Sequence, residues 1–343
     1  MALIKSEVSW KSPSNIALIK YWGKKENQIA LNPSISFTLK NCYTSTSISF
    51  IKSNDFQYEF KFHGNHKPEF VPKLDVFFSR IKKYLPSLSK LSLKINSFNS
   101  FPHSSGIASS ASAFSSLALC LIEIESMSSN IINEDNFFEK ASFISRLGSG
   151  SASRSIYGPL TCWGKTELYP GSSDKYAIPI NIKNNNFPTF CDSILIVDSG
   201  IKKVSSTLGH QLMDNHIFKN ERISQSHLNS SKLKKSIESN DINSFVEVVE
   251  NEALTLHALM MTSNPNFILF KPNTINIIEH VLKFRDETNT KICFTLDAGA
   301  NVHLLYPKNS FQIVQDFIRK SLIIFCDEGR FINDEVGLGP EKN

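Results

Sequence analysis

Residues 102–112 read Pro-His-Ser-Ser-Gly-Ile-Ala-Ser-Ser-Ala-Ser and lead directly into the apolar run Ala-Phe-Ser-Ser-Leu-Ala-Leu-Cys-Leu-Ile. This order predicts a hydroxyl-rich loop followed by a buried helix that ends near Glu125. A helix N-terminus presents unpaired N–H groups and the positive end of the helix dipole, so it binds anions. Gly106 would let a phosphate approach the backbone closely. The segment favours a phosphate-binding loop over a helix that is merely capped by serine, although no Walker-type Gly-Lys-Ser/Thr follows.

The rest of the chain shows both strand and helix periodicities. Strands are predicted at 34–39, 46–51, 56–62, 91–95, 157–168, 193–198, 291–296 and 302–306, and helices at 72–84, 134–146, 206–262, 270–287 and 310–320. Residues 170–189 are rich in Pro, Gly, Asn and Ser, which is typical of a linker or an exposed loop. The pattern indicates an α+β fold in two lobes.

Composition narrows the class of protein. The 343 residues are 41% hydrophobic and carry 37 basic and 32 acidic side chains, a net charge of +5. The basic residues are scattered, so no nucleic-acid-binding arm is indicated. Six widely spaced cysteines form no zinc or redox motif, the N-terminus lacks a signal-peptide core, and no apolar run is long enough to span a bilayer. We therefore expect a cytoplasmic protein with buried free thiols.

The segment Ser12–Lys25 ends in a cluster of amphipathic and cationic residues. Strand-like alternation continues to Lys20, and then Tyr21, Trp22, Gly23 and Lys24 follow. Two lysines beside a tyrosine hydroxyl can bind a phosphorylated substrate. An edge strand whose lysines extend to solvent is an equally good interpretation of this segment alone.

A second glycine- and serine-rich segment, residues 146–155, reads Arg-Leu-Gly-Ser-Gly-Ser-Ala-Ser-Arg-Ser. Successive N–H groups in such a turn can form an anion-binding nest, and Arg154 can bind a carboxylate or phosphate with two hydrogen bonds. The alternative is a flexible connection with an exposed arginine. A second phosphate-type loop in one chain favours the functional interpretation.

Two further segments could contribute polar groups. Asp297 lies after a predicted buried strand and before Gly299, where an aspartate commonly stabilises a turn but can also act as a general base. Residues 201–210 place hydroxyls at a predicted helix start, which suits an anion or a plain helix cap. With two anion loops elsewhere, Asp297 becomes the leading candidate for the base.

These segments, in this order, resemble the mevalonate diphosphate decarboxylases, a branch of the GHMP small-molecule kinase superfamily. The resemblance covers nearly the whole chain and rests on residues 12–24, 99–112, 148–154, 204–207 and 294–299. Many members direct an arginine to the diphosphate from the region of the helix predicted at 72–84. Lys73 and Arg80 are the candidates for that role here.

The resemblance implies a two-lobed GHMP kinase fold. An N-terminal lobe, 1–185, would resemble part of a ribosomal protein and carry the ATP and substrate loops. A ferredoxin-like C-terminal lobe, 186–343, would carry Asp297. It also implies a homodimer and no nucleic-acid or membrane partner.

The implied reaction is the ATP-dependent decarboxylation of mevalonate 5-diphosphate, which proceeds through phosphorylation of the C3 hydroxyl and requires Mg²⁺. The implied catalytic residues are Asp297, Lys20, Arg154 and Asn15. Substrate would contact Tyr21, Trp22, Gly23, Lys24, Ser149, Gly150, Ser151, Ala152, Ser153, Ser205, Ser206 and Thr207. ATP would contact Pro102, His103, Ser104, Ser105, Gly106, Ser109, Ser110 and Ser112, and no set of protein metal ligands is predicted.

Three alternatives stay open at this point. A sister enzyme could decarboxylate the monophosphate or only phosphorylate mevalonate, although Lys20, Arg154 and Asp297 together favour decarboxylation. The chain could instead be an RNA-binding protein, given its basic character, or a homologue that has lost activity.

Overall fold

The computed structural model describes residues 6–102, 107–128, 134–182, 187, 189–200 and 206–343. In these ranges the strands form two separate sheets, each packed against helices, which confirms the predicted α+β class. Strands and helices are numbered below in chain order.

The first sheet is built largely from the N-terminal half of the chain. It contains β1 (Ser6–Ile19), β2 (Ser34–Lys52), β3 (Gln57–Phe62), β4 (Asn65–His66), β5 (Leu91–Asn99), β6 (Leu160–Trp163), β7 (Ala177–Pro179) and β12 (Glu341–Lys342). Its spatial order is β12-β1-β2-β5-β3-β4, and β6 and β7 extend it beside the first residues of β2.

Three helices accompany this sheet: α1 (Val71–Ile81), α2 (Ser109–Ser128) and α3 (Glu134–Gly148). Helix α2 is apolar around most of its circumference, because β1 and β2 contact it on one side and α3 on another. By length and composition α2 could cross a membrane, but 72% of its most apolar window is buried inside the protein, as expected of a core helix.

The second sheet has the order β11-β8-β10-β9. Its strands are β8 (Phe190–Leu195), β9 (Cys293–Thr295), β10 (Val302–Pro307) and β11 (Phe331–Glu335). The helices of this half are α4 (Ser206–Gln211), α5 (Lys219–Ser239), α6 (Ile242–Met261), α7 (Pro272–Thr288) and α8 (Phe311–Phe317). The predicted helical region 206–262 is thus confirmed as three helices. Asn240, in the left-handed conformation, and Asp241, which caps α6, separate the last two.

Two details of the sequence prediction are wrong, and one short strand was missed. The strands predicted at 34–39 and 46–51 are one strand, because the buried Asp334 carboxylate accepts N–H groups from residues 40–42, which resemble a turn in sequence. The strand predicted at 157–168 shortens to β6, and a 3₁₀ helix, Gly150–Ile156, precedes it. The proposed linker at 170–189 contains β7, which pairs with β6 and adds to the first sheet.

The two halves share one apolar core. Ile16 and Phe37 of the first sheet pack in the same cluster as Phe190 and Ile194 of the second sheet and Phe245 of α6. Strand β12 pairs with β1 and returns the chain to the first sheet. The boundary near residue 185 stays a prediction.

Candidate active site

A cleft of about 680 Å³ lies between the two halves. Its walls come from the end of β1, helix α1, the start of α2, the 3₁₀ helix, α4, α6 and the turn after β9. The predicted site residues that line it are Lys20, Tyr21, Trp22, Lys24, Ser109, Ser110, Ser149, Gly150, Ser151, Arg154 and Asp297. The fold therefore brings together segments that are far apart in the sequence.

An ion pair between Lys20 and Asp297 crosses the interface between the halves. Lys20 Nζ lies 3.1 Å from Asp297 Oδ1, with side chains 2% and 27% exposed. Burial lowers the pKa of Lys20, and the Asp297 carboxylate opposes this shift. The carboxylate, which is partly open to the cleft, can accept a proton, and the buried ammonium beside it can stabilise negative charge.

Arg154 is held by side chains behind the cleft. Its Nε and Nη2 donate to Asn15 Oδ1 at 3.3 and 3.1 Å, and its Nη1 donates to Ser34 Oγ at 2.5 Å. Asn15 in turn donates to the carbonyl of Ser151 at 3.2 Å and to Ser155 Oγ at 2.8 Å. Burial lowers the pKa of Arg154 to about 10, so the guanidinium stays a cation at neutral pH. Asn15 does not line the cleft, but it fixes the arginine that does.

Tyr21 and Lys24 provide polar groups on the adjacent wall. The Tyr21 hydroxyl is buried and has no hydrogen-bond partner among the described residues, and burial raises its pKa, so it is a neutral donor. Lys24 Nζ donates to Gln28 Oε1 at 2.9 Å. Between them, Trp22 is buried in a small apolar cluster, and Gly23 adopts a positive φ of 87° that favours glycine.

His210 is a site residue to which the sequence assigned no role. Its Nδ1 accepts the Gly23 N–H at 3.0 Å, and its ring lies 4.2 Å from Tyr21 and 4.7 Å from Trp22, measured between centroids. Burial lowers its pKa to about 3, so the imidazole is neutral and its proton resides on Nε2. The only signal in the sequence was its position at the end of the hydroxyl-rich segment 201–210.

The serine-rich loop is described in part. His103, Ser104, Ser105 and Gly106 lie outside the described residues, and Pro102 is exposed. Ser109 and Ser110 form the first turn of α2 at the cleft, and Ser110 Oγ lies 3.2 Å from Ser149 Oγ, so the two predicted anion loops meet. Ser112 is fully buried away from the cleft, where its hydroxyl bonds Thr44 Oγ1 at 2.7 Å.

The other predicted substrate residues are either fully buried or not fully described. Ala152 and Ser153 are fully buried, and Ser153 Oγ donates to the carbonyl of Gly150 within the 3₁₀ helix at 2.9 Å. Ser205 lies outside the described residues. Ser206 and Thr207 begin α4, but their side chains are not described.

Helix α1 adds two cations to the cleft, and β3, the residue before α1 and α1 itself supply aromatic side chains. Lys73 and Arg80 both line the cleft; Lys73 Nζ lies 5.0 Å above the Phe114 ring, and Arg80 donates to the carbonyl of Leu147 at 2.8 Å. Phe60, Phe62, Phe70 and Phe77 line the same region. The cleft thus combines an aromatic part, suited to a flat ring, with a cationic part, suited to phosphates and a carboxylate.

The fold defines a class of two-domain α+β proteins of the GHMP kinase type. Residues 12–177 match the diphosphomevalonate decarboxylase-like N-terminal domain, and residues 193–336 match the mevalonate 5-diphosphate decarboxylase C-terminal domain. The crystal structure of mevalonate diphosphate decarboxylase from Staphylococcus aureus superposes with a TM-score of 0.85 at 29% identity, covering 99% of this chain and 98% of that one.

The chain belongs to the diphosphomevalonate decarboxylase family. The diphosphomevalonate decarboxylase of Saccharomyces cerevisiae is 30% identical over 319 residues, which cover 86% of this chain and 76% of that protein. The structure of MDDEF in complex with MVAPP, AMPPCP and magnesium has a TM-score of 0.83 at 26% identity and covers 98% of this chain and 99% of that one.

Proposed function

We propose that the protein catalyses the ATP-dependent decarboxylation of mevalonate 5-diphosphate to isopentenyl diphosphate, ADP, phosphate and CO₂. The observation that carries this proposal is the Lys20–Asp297 pair, whose groups lie 3.1 Å apart in a cleft that Arg154 and the start of α2 also line. Family membership and the ligands of MDDEF, an ATP analogue, MVAPP and magnesium, support it.

Asp297 would act in the first step. A tertiary alcohol is a poor leaving group, so the C3 hydroxyl must first become a phosphate ester. The Asp297 carboxylate accepts the hydroxyl proton while the oxygen attacks the γ-phosphorus of ATP, and ADP leaves. The Lys20 ammonium, 3.1 Å from Asp297 Oδ1, stabilises the negative charge that builds up on the transferring group.

Arg154 and Lys20 would act in the second step. The C3–O bond breaks and its electrons leave with phosphate, while the bond to the carboxylate breaks and its electrons form the new double bond as CO₂ departs. Arg154, fixed by Asn15 and Ser34, orients the carboxylate for this elimination. Lys20 offsets charge on the departing phosphate.

The phosphate groups would be bound by the polar walls. Tyr21, Lys24 and Ser149 suit the diphosphate of the substrate, and Ser109 and Ser110 at the N-terminus of α2 suit the phosphates of ATP. Magnesium would neutralise charge on the nucleotide phosphates, and it prefers hard oxygen ligands. The serine hydroxyls at the start of α2 are ligands of this type.

The test compares three substrates with purified protein and ATP. We expect CO₂ release and ADP formation in equal amounts with mevalonate 5-diphosphate, and far less with the 5-monophosphate or with mevalonate. ADP formation without CO₂ would instead identify a kinase. Preference for the monophosphate would identify a phosphomevalonate decarboxylase.

We also propose that the enzyme works in the cytoplasm as a homodimer. The six buried free cysteines support a reducing compartment, and the dimer rests on the family resemblance. Cell fractionation and light scattering coupled to size-exclusion chromatography test these two points.

A further inference from the structure

The backbone of Lys20 is bound by side chains rather than by a neighbouring strand. Strand β1 ends at Ile19, one residue earlier. The Lys20 N–H donates to Glu252 Oε2 at 2.8 Å, and the Lys20 carbonyl accepts from Arg222 Nη2 at 3.0 Å and from Asn32 Nδ2 at 2.9 Å. Because a buried peptide group must find partners, these side chains take the place of a strand at this position.

Glu252 and Arg222 form a rigid pair with each other. Arg222 donates to both carboxylate oxygens of Glu252, at 2.8 and 2.5 Å, and Asn229 Nδ2 donates to the same carboxylate at 2.7 Å. Glu252 is fully buried and Arg222 is 2% exposed. A two-point arginine–carboxylate contact fixes direction as well as distance, so α5 and α6 bind Lys20 in a defined orientation.

Helix α6 makes a matching set of contacts to the strand that leads to Asp297. Glu250 pairs with Arg285 at 2.6 and 3.2 Å and accepts the Phe294 N–H at 3.3 Å. His257 Nε2 lies 3.1 Å from the Asp297 carbonyl oxygen. One helix therefore contacts the backbone on both sides of the Lys20–Asp297 ion pair.

We propose that Glu252 and Arg222 are positioning residues that hold the Lys20 ammonium opposite Asp297. Their kinetic effect rests on the proposed function, but their effect on Lys20 itself does not. A buried ion pair gains little stability over an apolar pair of similar size, so its role here is to fix the geometry of a reactive side chain.

The charge of Glu252 also acts on the titration of Lys20. The charged groups that face Lys20 are Asp297, Glu252, Arg154, Asp192 and Arg222, whose guanidinium donates to the Lys20 carbonyl. Burial lowers the pKa of Lys20, whereas Asp297 and then Glu252 oppose that shift. Removing the Glu252 charge must therefore lower the pKa of Lys20 further.

The test substitutes Glu252→Gln, which keeps the shape and an oxygen acceptor for the Lys20 N–H but removes the charge. In protein labelled with ¹³C and ¹⁵N on lysine, the Lys20 signal, assigned with Lys20→Gln, should titrate at a lower pH than in the wild type. The kcat for CO₂ release should fall about 10- to 100-fold with KM nearly unchanged. The alkaline limb of the kcat profile should move to lower pH.

Two further variants separate positioning from stability. Asp334→Asn weakens another buried carboxylate that accepts backbone N–H groups, but none of its partners lines the cleft, so it should lower Tm without moving the Lys20 titration. The double variant Arg222→Met/Glu252→Gln removes both charges together and should fold while losing kcat.

An unchanged Lys20 titration in Glu252→Gln, or a double variant with full kcat, would overturn the proposal. A wild type that releases no CO₂ would refute the proposed function alone, because the NMR result is independent of turnover.

Discussion

At the scale of single residues, the proposed chemistry depends on Lys20 and Asp297, which are 277 positions apart in the chain and 3.1 Å apart in the fold. The roles of the two groups differ because their surroundings differ. Asp297 is partly open to the cleft, where it can reach a substrate hydroxyl, whereas Lys20 is almost completely enclosed. Substitution of the Asp297 carboxylate therefore tests the proposed proton transfer directly.

Asp297→Asn should reduce kcat for CO₂ release at least about 100-fold, because the amide cannot accept the hydroxyl proton. Its size is unchanged, so affinity for the ATP analogue AMPPCP, measured by calorimetry, should stay near the wild-type value. As a control, Asp75→Asn removes an exposed carboxylate that bonds Tyr58, outside the cleft, and should leave both quantities unchanged. Turnover at the wild-type rate in Asp297→Asn would contradict the assigned role.

We expect His210 to make the free energy of unfolding depend on pH. Its pKa is about 3 in the folded protein and 6.5 as a free side chain, so below pH 6.5 the unfolded chain binds a proton that the native protein does not. The free energy of unfolding should therefore fall as pH falls from 6.5 towards 3, by up to about 1.4 kcal/mol per pH unit from this group. In His210→Gln the slope should be smaller.

Urea unfolding between pH 4 and 7 measures this difference. The matched control is Gln211→Ala, which replaces an exposed side chain without a titratable group on the same helix as His210 and should keep the wild-type slope. Equal slopes in the wild type and His210→Gln would show that the imidazole does not stay neutral in the native protein.

Sequence motifs pointed to Lys20, Arg154 and Asp297 because several anion-binding segments occur together in one chain, although each segment alone also had a structural interpretation. They did not point to His210 or Glu252. Histidine and glutamate in helices are usually solvated or satisfied, and only the folded chain shows that these two contact the backbone of the segment 20–23. Contacts between distant elements leave no local pattern in the sequence.

At the scale of elements, the 3₁₀ helix Gly150–Ile156 carries Arg154 and places Gly150 against Tyr21 and Trp163. A Cβ on Gly150 would lie 2.8 Å from both Tyr21 Oη and Trp163 Cη2. Gly150→Ala must therefore displace Tyr21, and we expect KM for mevalonate 5-diphosphate to rise about tenfold with a smaller effect on kcat.

The control for this substitution is Gly171→Ala. Its Cβ would meet nothing within 4 Å, but its φ of +83° is strained for alanine, so it should cost about 1 kcal/mol of stability without affecting KM. A wild-type KM in Gly150→Ala would show that the Tyr21 hydroxyl has no part in substrate binding.

Secondary-structure elements were predicted correctly where the hydrophobic periodicity was unbroken. The predictions failed where contacts from residues distant in the sequence determine the local structure. Helix α7 was predicted at 270–287, close to its observed bounds, whereas α5 was predicted only as part of one helical region at 206–262. Strand β2 was divided in two because residues 40–43, Lys-Asn-Cys-Tyr, resemble a turn. Hydrogen bonds from distant residues, Asp334 of β11 and Ser100, hold the backbone of that stretch within the strand. The short β7 was missed because three residues carry too little pattern.

At the scale of the whole molecule, the two sheets share an apolar core, and residues near 340 close the edge of the first sheet. Lys342 pairs with Glu123 at 2.7 Å, and Asn343 donates to Ser9 and Ser45 at 2.9 Å each. Deleting residues 338–343 should therefore lower Tm by several degrees.

At temperatures below the start of thermal unfolding, the same deletion should leave KM for ATP and for mevalonate 5-diphosphate unchanged. The reason is that none of the deleted residues lines the cleft. Calorimetry and steady-state kinetics measure the two effects. Leu338→Ser, at a position 88% exposed, is the control and should change neither. A deletion that raised KM would show that this edge supports the cleft.

The pairing of β12 with β1 also has a consequence for biosynthesis. Lys342, the partner of Trp10, is made more than 300 residues after Trp10. One edge of the first sheet therefore stays open while the residues between them are translated, a state in which strand edges are prone to aggregate. Slow elongation between these two strands would prolong the exposure of this edge, and we expect it to lower the yield of soluble protein.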